Sequence, residues 1–169
     1  MKNITMTPAA FRAVLHLLGC EEKHLLPRLS EAEEYIAGRE VLCKNGWAEL
    51  DLDGSLLPRP DFARLIYDIS HAEAALRWEV PHRTLWMLRA PTEMLYIQQE
   101  GGQVRMERRT GRSFLPWVRQ VLQPAASGTL TTVFGQQRQR SDLSETEKES
   151  RSRAEVLAQH LVLFFGKER

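Results

Sequence analysis

Arg105, Arg108, Arg109, Arg112 and Arg119 lie close together in the chain, with Glu107 as the only near acid. A guanidinium pairs bidentately with a carboxylate or a phosphate, so the cluster reads as an anion-preferring surface for an acidic protein or for nucleic acid. On a strand, Arg105 and Arg109 share one face and Arg108 takes the other. A solvated sheet face and turn would carry the same residues. Gly101-Gly102, just upstream, signals a hairpin, and a hairpin edge beside arginines is suited to capturing a protein. The candidate partner-binding residues are therefore Gly101, Gly102, Arg105, Arg108, Arg109 and Arg112.

Other chemistries find less support. Asp51, Asp53, Gly54 and Ser55 echo the start of a calcium loop, but Phe62 stands where a bidentate glutamate is needed and the glycine comes too early, so a turn is expected. His16, His24, His71, His82 and His160 are scattered, with no i, i+4 pair to put two imidazoles around a metal, and read as surface or partly packed side chains. Cys20 and Cys43 sit in apolar surroundings and are expected as reduced, packed thiols. The nucleophile-elbow, P-loop and dinucleotide-binding patterns are missing, so no catalytic residue, metal or cofactor is expected; a triad built from distant residues stays open as a third reading.

The chain has 169 residues, 43% hydrophobic and 27% charged, which fits one compact domain able to bury a core. Its net charge of +1 gives no bulk attraction to nucleic acid or anionic membrane, so such a partner would need a local patch. The patching is uneven: residues 1–84 carry 10 basic and 13 acidic side chains, residues 85–169 carry 13 and 9. The chain has no apolar run long enough for a membrane span and no signal-peptide core at its start, so a cytoplasmic location is expected.

The elements that must position the cluster follow from periodicity. Thr7-Pro8 caps a helix over Pro8 to Leu18 with Phe11, Val14, Leu15 and Leu18 on one face. Ser30 and Glu33 form a capping box for a helix that ends at Asn45-Gly46, with Ala32, Tyr35, Ile36, Leu42 and Cys43 facing inward. Trp47 to Leu57 is a small hairpin turning at Asp53-Gly54, similar to the wing of a winged helix. Asp61 caps a third helix with Phe62, Leu65, Ile66 and Ile69 inside. From Ala75 the period changes to two: strands are expected to Val80, over Thr84 to Arg89, Glu93 to Gln99 and Gln103 to Arg109, in an antiparallel meander. A short helix over Phe114 to Leu122 and a strand over Thr129 to Phe134 follow. Gln136 to Arg153 is too polar to bury a face and reads as a mobile loop or a solvated helix start, after which Leu157, Leu161 and Phe164 restore a helical stripe ending at Gly166.

The expected fold class is α+β, with a winged-helix-like helical portion over 1–72, an antiparallel sheet with a short helix over 73–135, a polar linker over 136–153 and a C-terminal helix over 154–169, in one compact domain. In a winged helix, Ser30 to Lys44 would be the recognition helix. Its Glu31, Glu33, Glu34 and Glu40 outnumber Arg39 and Lys44, which disfavours approach to phosphates.

This order of features resembles the EspG-like secretion-associated chaperones of type VII (ESX) secretion systems. The resemblance is carried by the helix Pro8 to Leu18, the helix ending at Asn45-Gly46, the Asp53-Gly54 wing with Leu56-Leu57-Pro58-Arg59-Pro60, and the helix Asp61 to Ile66. It continues through Leu76-Arg77-Trp78, the Gly101-Gly102 hairpin and Phe114 to Leu122. It implies a non-enzymatic bacterial protein that binds secreted substrates in the cytosol. Members of that family have two such halves around a central sheet, whereas this chain has room for about one half and a tail. Pairing with a second copy to complete a sheet is therefore an alternative. The competing class is a winged-helix nucleic-acid-binding regulator, whose retention on DNA would fall steeply with salt.

Overall fold

In the computed structural model, which describes residues 3–17, 19, 20, 23–28, 32–91, 93–109, 116, 127–143 and 150–166, the chain starts with a strand and not with a helix. β1 (Asn3–Met6) alternates exposed Asn3 and Thr5 with buried Ile4 and Met6, and pairs antiparallel with Gln103–Arg109 far along the sequence. Thr7 then turns the chain: its Oγ1 accepts the Ala10 amide at 3.2 Å and its carbonyl accepts that of Phe11 at 3.0 Å. With Pro8 at the first helical position, this launches α1 (Pro8–Leu17).

Helix α2 (Ala32–Lys44) lies against α1 through small residues. A Cβ on Gly38 would stand 2.5 Å from the Ala9 carbonyl oxygen and 2.6 Å from the Ala13 Cβ, so only glycine allows the two backbones this approach. The inner line of α2 therefore runs through Gly38 and Leu42, and Ile36, expected inside, is half exposed. Arg12 of α1 and Glu34 of α2 form an ion pair across the same contact. Gly46 adopts the left-handed conformation past the end of α2, as its position predicts. The hairpin β2 (Ala48–Leu50) and β3 (Leu56–Pro58) follows, then α3 (Pro60–Ser70). Arg59, not Asp61, occupies the N-cap of α3; Pro60 fills the first turn and Asp61 adds its charge near the positive end of the helix. Phe62, Leu65, Ile66 and Ile69 form the buried face, with Phe62 stacked on Trp47 at 5.9 Å.

From here the meander runs as expected through β4 (Ala74–Val80), β5 (Arg83–Arg89), β6 (Met94–Glu100) and β7 (Gln103–Arg109). β8 (Gly128–Phe134) and β9 (Gln137–Leu143) form a hairpin on the outer side of β4. The result is one seven-stranded antiparallel sheet in the order β1-β7-β6-β5-β4-β8-β9. Of the stretch expected as a polar linker, Gln137–Leu143 is thus a strand and Ser150 opens a helix. Gly135 in the left-handed region turns the chain back, and β9 zips along β8 from the Phe134–Gln137 pair to the Gly128–Leu143 pair. Helix α4 (Ser150–Phe165) starts earlier than its apolar stripe predicts. The helix expected over Phe114 to Leu122 and the Ser30 cap lie outside the described residues.

The sheet is buried on both faces, but by layers set off from each other. Helices α1 to α3 cover one face, packing on Ile4, Met6, Ala75, Trp86, Leu88, Leu95, Ile97, Val104 and Met106. Helix α4 covers the other through Leu161 and Phe164, which meet Leu76, Trp78, Leu85, Met87, Leu130 and Leu143. The first layer therefore centres on β1, β7, β6 and β5 and reaches Ala75 of β4, and the second centres on β5, β4, β8 and β9 and reaches Tyr96 of β6. Each leaves the opposite end of its sheet face to polar side chains. Among the described residues no helix is long and apolar enough to cross a membrane.

The α1–α2 contact gives a direct test. Gly38→Val, with no room for its side chain, is expected to lower the free energy of unfolding by about 3 kcal/mol in urea titrations, because the backbones must part to admit it.

Candidate partner surfaces

The five described candidates of the arginine-hairpin set do not form one patch. Gly101 and Gly102 close the β6–β7 turn, both left-handed, both exposed, and with open space where a side chain would stand. Arg105 and Arg109 lie on the α4 face of β7, opposite Gln98 and Met94, and Arg105 also opposes Thr5 of β1. Arg105 is exposed, and Arg109 pairs with Glu107 at 3.0 Å. Arg108 points to the other face, where it meets the Asp68 carboxylate of α3 at 2.9 Å and Glu93 at 3.5 Å. Its side chain is 17% exposed and that of Asp68 is 3% exposed, so this is a structural ion pair joining α3 to the sheet. Burial raises the Asp68 pKa even though Arg108 pulls it down. Arg112 lies outside the described residues.

Beyond buried Tyr96, the α4 face continues over β6, β7 and β1 as a polar ladder of Gln98, Arg105, Glu107, Arg109 and Thr5. Tyr96 donates to Gln98 at 3.1 Å, and burial pushes its phenol up to about 12, so the hydroxyl stays a donor at physiological pH. This is the surface that Arg105, Arg109 and the Gly101-Gly102 turn border.

A second surface lies on the β2–β3 hairpin. The turn is held as the sequence implies: Gly54 N–H donates to the Asp51 carbonyl at 2.9 Å, Ser55 N–H to Asp53 Oδ1 at 2.8 Å and Leu52 N–H to Asp51 Oδ1 at 2.7 Å. Hydrogen bonds from Ser55 hold the Asp53 carboxyl below its ordinary value, so the two aspartates serve the turn and not a cation. Leu52 at the tip is fully exposed, and Leu50 and Leu57 are each 51% exposed. The two nearby arginines are engaged: Arg59 forks onto Glu49 Oε1 at 3.0 and 2.6 Å, and Arg39 reaches the Gly54 carbonyl at 3.3 Å. The hairpin is thus apolar and acidic at its exposed end. Its location is readable from Asp53-Gly54; the exposure of its leucines is not, because alternation alone does not say which face lacks a neighbour.

Of the five histidines, His160 alone among the described residues is fully buried. Its Nδ1 lies 2.7 Å from Thr132 Oγ1 of β8 and its Nε2 lies 3.0 Å from Ser141 Oγ of β9, so two hydroxyls satisfy either tautomer and bolt α4 across both strands. The order hydroxyl–imidazole–hydroxyl has the layout of a nucleophile and base. Burial, however, lowers the imidazole to about 4, and Thr132 brings no charge to stabilise an imidazolium, so the group is a weak proton acceptor. At the far end of α4, Arg89 of β5 donates to the Phe165 carbonyl, lies 3.3 Å from Glu73, and stacks 4.9 Å from the centre of the Phe134 ring. Among the described residues no group of three or more His, Cys, Asp or Glu is placed to hold a metal ion. Cys20 is buried, Cys43 is partly buried, and neither is in a disulfide.

No protein-family model matches the chain, and no curated protein matches it in sequence.

Two expectations follow. Arg108→Ala leaves the Asp68 carboxylate buried without its cation and is expected to cost about 3 kcal/mol of stability, whereas Arg105→Ala is expected to stay within about 0.5 kcal/mol; urea unfolding of the two variants checks this. His160 stays neutral in the folded chain down to about pH 4, while the unfolded chain protonates it near 6.5. Its contribution is therefore intact above pH 6.5 and is lost progressively as pH falls toward 4, by on the order of 3 kcal/mol. His160→Gln, which keeps a donor and an acceptor but does not titrate, is expected to flatten the stability curve across that window.

Proposed function

We propose that this chain is a non-enzymatic adaptor that holds a protein partner, in the manner that the resemblance to EspG-like type VII secretion chaperones implies for secreted substrates in the cytosol. The observation that carries this reading is the β2–β3 hairpin. Considered as a winged-helix-like unit, α1, α2, α3 and this hairpin would offer a wing whose tip is Leu52, flanked by Leu50 and Leu57 and by Glu49, Asp51 and Asp53. Exposed leucines at the tip and on both faces of a projecting hairpin, Leu50 on one and Leu57 on the other, suit an apolar partner that wraps the turn. A wing that contacts a nucleic-acid backbone needs the opposite: free lysine or arginine and no acids. Here Arg39 and Arg59 are already spent inside the hairpin. The polar ladder of β6 and β7, with Arg105 and Arg109 and the Gly101-Gly102 turn, supplies a second contact surface of the kind that rims a protein interface.

The test is co-expression of the chain with small helical secreted proteins encoded beside it, followed by purification on a tag placed on the chain. A stoichiometric soluble complex is expected. Leu52→Glu combined with Leu57→Glu should abolish recovery of the partner while leaving the unfolding midpoint unchanged, because both side chains are in solvent. Arg105→Ala with Arg109→Ala should weaken recovery less. Undiminished recovery from the leucine variant would remove the wing from the proposal. Salt-sensitive retention on duplex DNA without any protein complex would replace it with the regulator reading.

A further inference from the structure

We propose that the outer edge of β9 is a docking site for an extended acidic peptide, bound as an added strand with an acid–apolar–acid sequence at its centre. The site is at the opposite edge of the sheet from β1 and β7 and stands independently of the adaptor reading.

Three observations converge on it. Among the described residues β9 ends the strand order, and at seven residues it is a much longer edge than four-residue β1. Its register fixes which backbone groups are used. The pair Phe134–Gln137 closes a two-residue turn, so Gln137, Gln139, Ser141 and Leu143 exchange hydrogen bonds with β8, and Arg138, Arg140 and Asp142 direct their N–H and C=O groups outward. An unpaired row of this kind is a template for another strand.

Charge then selects the strand. Arg138 and Arg140 are exposed and lie on one face, and among the described residues neither has an ion-pair partner. Asp142, the acid on that face, accepts the Thr129 hydroxyl at 2.6 Å. Two arginines at alternate positions repel a strand with basic side chains opposite them and favour one with carboxylates there. On the other face, a cavity of about 840 Å³ opens beside the same strand, walled by Phe134, Val162 and Phe165 and bordered by Gln137 and Gln139. Val162 is 57% exposed there. The peptide residue opposite Gln139 falls on this face, between the two acids, and an apolar side chain at that point reaches the cavity. The recognition mode is strand addition, in which main-chain hydrogen bonds supply affinity and alternate side chains supply selectivity.

The probe is a fluorescein-labelled peptide Thr-Glu-Leu-Glu-Val-Lys-Thr, read by fluorescence anisotropy with the full chain. A charge-reversed peptide, Thr-Lys-Leu-Lys-Val-Glu-Thr, and a Thr-Glu-Leu-Glu-Val-Lys-Thr peptide N-methylated at both glutamates serve as comparisons. Saturable binding of the first peptide alone is expected. The combination Arg138→Glu and Arg140→Glu should weaken it by at least roughly tenfold and allow the charge-reversed peptide to bind. Because both side chains are in solvent, this variant should keep its unfolding midpoint. The N-methylated peptide needs no change to the protein: it keeps both charges and loses the donors aimed at β9. Binding as tight as that of the parent peptide would mean charge attraction without strand pairing and would overturn the proposal. So would indifference to the arginine reversal. A chain that light scattering shows to be a dimer, that the arginine reversal makes monomeric, and that ignores the peptide would assign the edge to a second copy. Loss of the wing-dependent complex leaves this assay unmoved, so the two proposals fail separately.

Discussion

The structure depends on a sheet whose centre must be kept from water on both sides. In β4 the run Ala74 to Leu76 is buried, in β5 Leu85 to Leu88, and in β6 Leu95 to Ile97, so consecutive residues need covers on opposite faces. Burying a large apolar side chain fully is worth about 1.5–3 kcal/mol, and Trp78, Leu76, Leu85, Met87 and Leu88 are all essentially inaccessible. No single layer can satisfy such strands. The helices supply one cover and α4 the other, and because the two are staggered along the sheet, each face opens at a different edge. The surfaces available for recognition are what the stagger leaves over.

Buried polar groups fix where each cover sits. Apolar packing alone would tolerate a sliding helix, since Leu161 and Phe164 could meet several neighbouring side chains at similar cost. His160 removes that freedom: its two ring nitrogens need Thr132 and Ser141 together, and only one placement of α4 across β8 and β9 provides both. Arg89 fixes the other end at the Phe165 carbonyl, one of the unpaired carbonyls at a helix C-terminus. On the opposite face, Arg108 does the same for α3 through Asp68, and the Trp86 indole does so for the 3₁₀ turn Lys23–Leu25 by donating to the Leu25 carbonyl at 2.8 Å. Arg108 is therefore lost to recognition because it holds a layer in place.

Most of the architecture was legible where polarity alternated with the period of the element. The stripe Phe62, Leu65, Ile66, Ile69 and the meander from β4 to β7 needed nothing more. β9 was illegible because its positions on the α4 face begin with Gln137, Gln139 and Ser141, of which Gln137 is exposed and the half-buried other two have polar partners on α4: Gln139 bonds to Gln159 at 3.2 Å and Ser141 to His160. The one local clue was Gly135 after an apolar strand, the position that a tight hairpin requires. β1 is so short that its two apolar positions, Ile4 and Met6, form no pattern, and its place comes from β7, about a hundred residues away. In the candidate site, the Arg105–Arg109 face and the hairpin glycines were readable from strand alternation. The diversion of Arg108 to Asp68 was not, because a lone aspartate on the buried side of α3 announces no partner.

Charge placement decides more about recognition than net charge does. Arg105 and Arg109 stand on the α4 face of β7, while Arg138 and Arg140 stand on the opposite face of β9. Five strand spacings separate the two strands, about 24 Å at the usual interstrand distance, and the sheet with its helical covers lies between. Among the described residues, these two basic pairs therefore do not join into one continuous stripe. These two separate basic pairs and the apolar, acidic β2–β3 hairpin are three chemically different surfaces. That division follows from the staggered covers: a sheet closed evenly on both faces would have hidden the polar ladder and the cavity beside β9 alike.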